Sequence, residues 1–300
     1  MNNVNKNIHK LINVYQEKYK NGKCSGLGDF IRGSYFLMQF CGKFNIEYEV
    51  SFYNHLIGKY LKNVDTTKYT GISDINIMRD NRDNNFIECI DTTTKEISYK
   101  THSENYIIGS VLNYMHNIPN QIKYINNICF PLYSELEASH KAYMKHILEP
   151  NDMIKQYVQS SLNIMDVSRG EYTVIHIRCG DNVLINKASD TALFEKIYGK
   201  LKELPDISSE KYLIISDSNE LKVLLKGRFP QFKIHTENIV VHIGEGTKNT
   251  EESIKSLLLD FYFMSYSKNI ISYSTYTHGS GLSLWCAKTF DIPYKCYYLL

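Results

Sequence analysis

A histidine, an arginine and an aspartate follow one another in His176-Ile177-Arg178-Cys179-Gly180-Asp181, at the end of an apolar run over 172–177. A guanidinium at the mouth of a buried strand can grip a diphosphate through two or more charge-assisted bonds. Gly180 allows a sharp turn and a close approach of ligand to backbone. The same residues can equally form an Arg–Asp pair that only holds the strand end, and both readings stand. A second group, Ser216-Asp217-Ser218, ends the apolar run over 211–216. Asp217 there can cap the next helix, the favoured reading, or accept bonds from the N–H groups of a guanine edge.

A third stretch, from Ser272 through Ser280 and Gly281 to Ser283, is dense in Ser, Thr and Gly and runs into an apolar-periodic segment. Small residues at a helix N-terminus leave its amides open to an anion, and the helix dipole favours the negative charge. The alternative is an ordinary Ser-capped helix. The fourth stretch, from Cys24 to Gly33, carries Gly26, Gly28, Asp29 and Arg32. Its third glycine is misplaced for a dinucleotide fingerprint, so the residues alone indicate a tight turn before a helix.

Elements must position these groups. Helical spacing of Ile8, Leu11, Ile12 and Tyr15 predicts a helix over 5–20, and another is predicted over 30–44. Residues 47–52 alternate like a strand, 70–101 read as a polar, loop-rich region, and 105–115 and 124–130 as core elements. A helix is predicted over 132–148 and another over 153–162, capped by Asn151 or Asp152. The C-terminal half alternates regularly. Strands are predicted over 172–177, 211–216, 232–235, 239–242 and 269–273, and helices over 191–204, 219–227, 250–267 and 281–290. Strands alternating with helices imply a parallel sheet covered on both faces, with ligands beyond the carboxyl ends of its strands. A domain boundary falls near residue 150, giving 1–150 and 151–300.

The 300 residues suit two domains of roughly 150 each. The chain is 43% hydrophobic and 22% charged, enough for a sizeable core. Thirty-four basic residues face 32 acidic ones without a basic cluster, which argues against a nucleic-acid partner. The N-terminal segment lacks the apolar core of a signal peptide, and no run is long and apolar enough to span a bilayer, so a cytoplasmic location without a membrane anchor is expected. The seven cysteines are scattered, with no CxxC spacing; neither structural zinc nor a disulfide framework is indicated.

Taken in order, these stretches resemble the fucosyltransferase superfamily. HIRCGD over 176–181 is similar to that family's HxRxGD peptide. Residues 260–287 resemble its C-terminal signature, and GLGDFIRG over 26–33 its N-terminal glycine loop. The resemblance is good over roughly 170–290 and thin over about 50–130. Asp29 stands where the glycine loop usually has Asn, Cys179 where a second Arg is frequent, and Thr277-His278-Gly279 lengthens the loop before Ser280. The resemblance implies an α/β fold of the GT-B type, two Rossmann-like domains facing a central cleft, with the acceptor on the N-terminal side and the nucleotide sugar on the C-terminal side.

It further implies a glycosyltransferase moving fucose from GDP-fucose to a glycan or protein hydroxyl, with inversion. Arg178 would bind the β-phosphate and stabilise the departing GDP. His176 would orient the loop or line the sugar, and Asp217, or less strongly Asp260, would read guanine. Ser218 belongs to the same donor site. Ser280, Gly281 and Ser283 would line the pyrophosphate, and Gly26, Gly28 and Arg32 would approach from the other domain. A general base would be Asp181 first, then Asp29, then His278. No Asp-x-Asp triplet occurs, which fits catalysis with no metal and no cofactor beyond the donor substrate. Use of another GDP- or UDP-sugar, or a nucleotide-sugar-binding relative without turnover, are the alternatives.

Overall fold

The computed structural model describes residues 10–15, 26–52, 55–68, 77–81, 86–89, 97–98, 122–126, 135–186, 190–204, 210–236 and 249–299. The chain divides into two compact units: Met1–Asn21 with Asp29–Ile147, and Gly22–Gly28 with Leu148–Leu300.

The first unit holds a six-stranded sheet of order β2-β1-β6-β3-β4-β5. Its strands are β1 (Lys10–Val14), β2 (Glu47–Ser51), β3 (Ile77–Asn81), β4 (Phe86–Cys89), β5 (Ile97–Ser98) and β6 (Ile122–Asn126). The helix expected over 5–20 is corrected here, since its described residues form β1. This strand runs parallel between β2 and β6, and Leu11, Ile12, Val14 and Tyr15 are all fully buried. A strand covered on both faces loses its period-two alternation, and a short apolar run of that kind is easily read as helix. The loop reading of 70–101 is corrected too, because β3, β4 and β5 pair antiparallel within it. Antiparallel edge strands need only one apolar face, so a polar composition does not exclude them. The expectation for 105–115 lies outside the described residues.

Helix α1 (Leu27–Phe44) buries Phe30, Tyr35, Phe36 and Phe40. Phe30 stacks on Tyr15 at 4.2 Å, and Tyr15 stacks on His55 at 4.0 Å. His55 Nδ1 accepts a bond from the Ile57 amide, so its proton sits on Nε2, and burial lowers its pKa to about 3. Helix α2 (Ala138–Ile147) belongs to this unit too, and its Tyr143 meets Tyr48 edge-to-face.

The second unit contains α3 (Asp152–Ile164), β7 (Tyr172–Arg178), α4 (Asp181–Asn186), α5 (Thr191–Lys202), β8 (Lys211–Ser216), α6 (Asn219–Arg228), β9 (Lys233–Ile234), α7 (Glu251–Ser265), β10 (Asn269–Ser274), α8 (Gly281–Phe290) and β11 (Tyr294–Tyr298). Polar side chains start the helices where the sequence places them. Asn151, Asp190, Ser218 and Thr250 each accept a bond from an amide in the first turn of α3, α5, α6 and α7. The five strands are parallel in the order β11-β10-β7-β8-β9. Ile175, Ile177 and Ile214 pack with Leu193, Phe194, Ile197, Leu221 and Leu225 of α5 and α6 on one face. On the other, the Tyr172 hydroxyl donates to the Phe263 carbonyl of α7 at 2.7 Å. Strand β11 and the short α4 escape the sequence reading, and the strand expected over 239–242 lies outside the described residues.

Among the described residues no helix is long and apolar enough to cross a membrane. Cys41, Cys179, Cys286 and Cys296 are free thiols.

Candidate functional site

In the second sheet, β7 has β8 and then β9 on one side, and β10 and then β11 on the other. The chain thus leaves β7 toward one edge and later returns to fill the opposite side. That reversal of strand order makes a topological switch point between the carboxyl ends of β7 and β10, where open α/β sheets bind ligands. Arg178 and Ser274 are register partners at those ends.

Arg178 is held there by two carboxylates. Nη1 donates to Asp217 Oδ2 at 2.5 Å and Nη2 to Asp181 Oδ1 at 2.5 Å. Asp217 is buried and also accepts the Cys179 amide on Oδ1 at 2.7 Å and the Gly180 amide on Oδ2 at 3.1 Å. The capping role expected of Asp217 is therefore corrected. Its carboxylate cradles the turn after β7, and the cap of α6 comes from Ser218, whose Oγ accepts the Leu221 amide at 3.1 Å. Ser218 is buried in that capping role. Gly180 has φ 103°, and a Cβ on it would lie 2.9 Å from Thr275 Oγ1, so both conformation and space demand glycine.

The loop after β10 is laced to this turn. Thr275 Oγ1 donates to the Cys179 carbonyl at 3.1 Å, and Tyr276 Oη accepts the Asp181 amide at 2.9 Å. The Tyr276 ring lies 5.6 Å from the Arg178 guanidinium and stacks on His278 at 5.2 Å. Sequence reasoning placed Tyr276 in the Ser/Thr/Gly stretch without giving it a role; its signal is the loop lengthened by Thr277-His278-Gly279.

The start of α8 follows. Ser280 is the N-cap residue, yet its side chain makes no capping bond to the helix. The amides of the first turn are thus left without the side-chain oxygen that serves four other helices of this unit. Gly281 is half-buried, with nothing within 4 Å of where a Cβ would stand. Ser283 is fully buried, and its Oγ lies 3.4 Å from both Ser272 Oγ and the Ser280 carbonyl. Gly28 lies against this helix start. A Cβ on Gly28 would come within 2.5 Å of both Gly281 C and Leu282 N, so backbone meets backbone there.

Two buried titratable groups, His176 and Lys222, and the half-buried Asp260 have shifted pKa values in this unit. His176 alternates with Ile175 and Ile177 along β7 and so shares the α7 face of the sheet with Tyr172. It is buried, its Nδ1 has no hydrogen-bond partner, and burial, aided by Arg178, lowers its pKa to about 3, leaving it neutral. Asp260, on α7, has its pKa raised to about 7 by burial, which the charge of Lys222 partly offsets. Lys222, on the first turns of α6, is itself buried, and that lowers its pKa while Asp260 counteracts the shift. Lys222 was not singled out from sequence, where a lysine on a helix reads as solvated.

The remaining sequence candidates are placed more simply. Gly26 precedes α1, Asp29 lies in its first turn, and Arg32 is half-buried on the same helix. Asp29 and Arg32 belong to the first unit. His278 is exposed. Among the described residues no group of three His, Cys, Asp or Glu side chains is arranged to hold a metal ion.

No protein-family model matches the chain, and no curated protein matches it in sequence. Its backbone does match solved structures. The fucosyltransferase NodZ from Bradyrhizobium matches with a TM-score of 0.52 at 13% identity, over 93% of this chain and 92% of that one. NodZ alpha-1,6-fucosyltransferase soaked with GDP-fucose gives a TM-score of 0.51 at 13% identity, over 94% of this chain and 92% of that one. A complex of POFUT1 with GDP-fucose gives 0.48 at 7% identity, over 98% and 99%. By its likeness to NodZ, this chain has the α/β fold of the GT-B type.

Proposed function

We propose that the protein is a glycosyltransferase of the fucosyltransferase kind, moving fucose from GDP-fucose to a hydroxyl of a glycan or protein acceptor. The reading is carried by Arg178 at the β7–β10 switch point, in the same unit as an α8 N-terminus whose first-turn amides receive no bond from the N-cap side chain. A guanidinium and a helix N-terminus are two independent sources of positive potential for a diphosphate. The GT-B fold shared with NodZ, whose crystal structure was obtained soaked with GDP-fucose, supports the same assignment.

In this mechanism the C-terminal unit binds the donor. Arg178 and the α8 amides take the diphosphate and stabilise the negative charge that grows on GDP as the glycosidic bond breaks. The acceptor hydroxyl attacks the anomeric carbon from the opposite side, giving inversion. Its proton goes to a carboxylate or imidazole, with Asp181 ranked before Asp29 and His278. The reaction proceeds without a metal ion. Because Asp217 is engaged by Arg178 and two amides, Asp260 is the carboxylate assigned to the N1–H and N2–H of guanine, with the unbonded His176 Nδ1 on the same face of the sheet.

Thermal unfolding with GDP, GDP-fucose, UDP and ADP, with and without EDTA, tests this. A nucleotide at a hundred times its Kd adds about 2.7 kcal/mol of stability. GDP and GDP-fucose should stabilise the wild type with or without EDTA and leave Arg178→Ala unmoved. Preference for UDP would overturn the donor assignment; stabilisation by none would overturn the donor site.

A further inference from the structure

Arg178 presents its guanidinium to two carboxylates, and the two are not equivalent. Asp217 has a side chain only 6% exposed and is fixed by two amides besides the arginine. Asp181 has a side chain 52% exposed and lies on the outer nitrogen, Nη2. One positive charge between two negative ones leaves the local balance negative, which repels an incoming diphosphate. A phosphate oxygen reaching Nη2 has to take the place that the Asp181 carboxylate occupies.

Tyr276 keeps that carboxylate where it is. Its Oη accepts the Asp181 amide at 2.9 Å, which fixes the backbone that carries the carboxylate. The tyrosine is itself anchored. The Thr275 amide donates to the Arg178 carbonyl at 3.1 Å, the Tyr276 amide to Ser274 Oγ at 3.1 Å, and the Gly279 amide to the Tyr276 carbonyl at 3.0 Å. The missing Cβ of Gly180 gives the space, with Tyr276 Oη 3.6 Å from where it would stand.

We propose that Tyr276 is a positioning residue of the donor site: its hydroxyl, by accepting the Asp181 amide, keeps that residue where its carboxylate meets Arg178 while no phosphate is bound, so that the protein carries its own anion in the diphosphate position and the donor binds by exchange. This rests on the reading of Arg178 as the diphosphate ligand. Exchange frees Asp181 from the guanidinium only when the donor is present, which ties the first-ranked base to an occupied donor site.

The test is titration calorimetry of GDP against wild type, Tyr276→Phe, Asp181→Asn and Arg178→Ala, each first shown to be folded by its melting curve. Removing the latch should tighten GDP binding about three- to tenfold in both Tyr276→Phe and Asp181→Asn, the worth of one hydrogen bond. Donor KM in Tyr276→Phe should fall by a similar factor with kcat not raised. A tyrosine that merely braced the loop would weaken binding when truncated. Unchanged or weaker GDP binding by both variants, with wild type binding and Arg178→Ala not, overturns the latch and leaves the donor site standing. Folded wild type and variants that all ignore GDP overturn both.

Discussion

Arg178 Nη1 and Asp217 Oδ2 lie 2.5 Å apart, joining the ends of two adjacent strands across 39 residues of sequence. The arginine side chain is 18% exposed and the aspartate 6%, so the pair is largely shielded from water. Its removal therefore does more than lose one bond, because Asp217 also holds the Cys179 and Gly180 amides. Breaking one side of a buried pair leaves the other charge uncompensated. Asp217→Ala should lower the unfolding free energy by about 3–5 kcal/mol in urea denaturation. A loss below about 1 kcal/mol, the range of exposed pairs, would show that the pair does not hold the turn.

Gly28 and Gly281 should respond differently to the same substitution. A Cβ on Gly28 meets backbone atoms at 2.5 Å, which can yield only if the start of α8 shifts. Gly28→Ala should cost about 1–3 kcal/mol, as overpacking of a tight contact does. Gly281→Ala meets nothing within 4 Å and should leave the melting temperature within about a degree or raise it, while weakening GDP binding if the α8 amides hold the phosphates. Equal melting temperatures for the two variants would contradict the close approach.

Asp260 links pH to both stability and ligand. Its pKa is raised in the folded protein from 3.8 to about 7. A raised carboxyl favours the folded state in its protonated form, so that contribution is complete below about pH 4 and is lost as pH rises through about 7. Asp260→Asn should therefore lose less stability than wild type between pH 5 and pH 8. If the ionised carboxylate receives guanine, wild-type affinity for GDP should rise with pH up to about 7 and level off above it, and the variant should lack this dependence. Calorimetry across that range measures both.

Two buried histidines should make the protein acid-sensitive. His55 and His176 each have a pKa lowered from 6.5 to about 3, both chiefly by burial. A depressed histidine contributes stability above its unfolded pKa, and that contribution is lost as pH falls from about 6.5 toward 3. Each adds about 1.4 kcal/mol of loss per pH unit in that window. His176→Gln should flatten the acid limb of a urea-midpoint profile relative to wild type; an unchanged slope would mean that His176 takes up its proton while folded.

Much of the second unit is readable from sequence because each of its elements is specified locally. The apolar run ending at Arg178, the cap at Asn151 and the helix over Gly281–Phe290 depend on residues within a few positions of one another. The same local logic fails at β1, where Leu11, Ile12 and Val14 are apolar on both faces because strands and helices remote in sequence cover them. Strand order is likewise a property of pairing alone. The alternation of strands and helices announces a parallel sheet, but only the assembled sheet sets β10 beside β7 and so creates the switch point at Arg178. The fates of the site carboxylates were decided in the same way. Asp181 and Asp217 look alike as residues next to strand ends; contacts reaching 37 to 39 residues away bury one against two amides, while the other stays exposed on the guanidinium. The sequence by itself determined which residues could hold charge at the ends of strands; the tertiary structure decided which were neutralised, because burial and long-range hydrogen bonds set the energy of a charge far more than its sequence neighbours do.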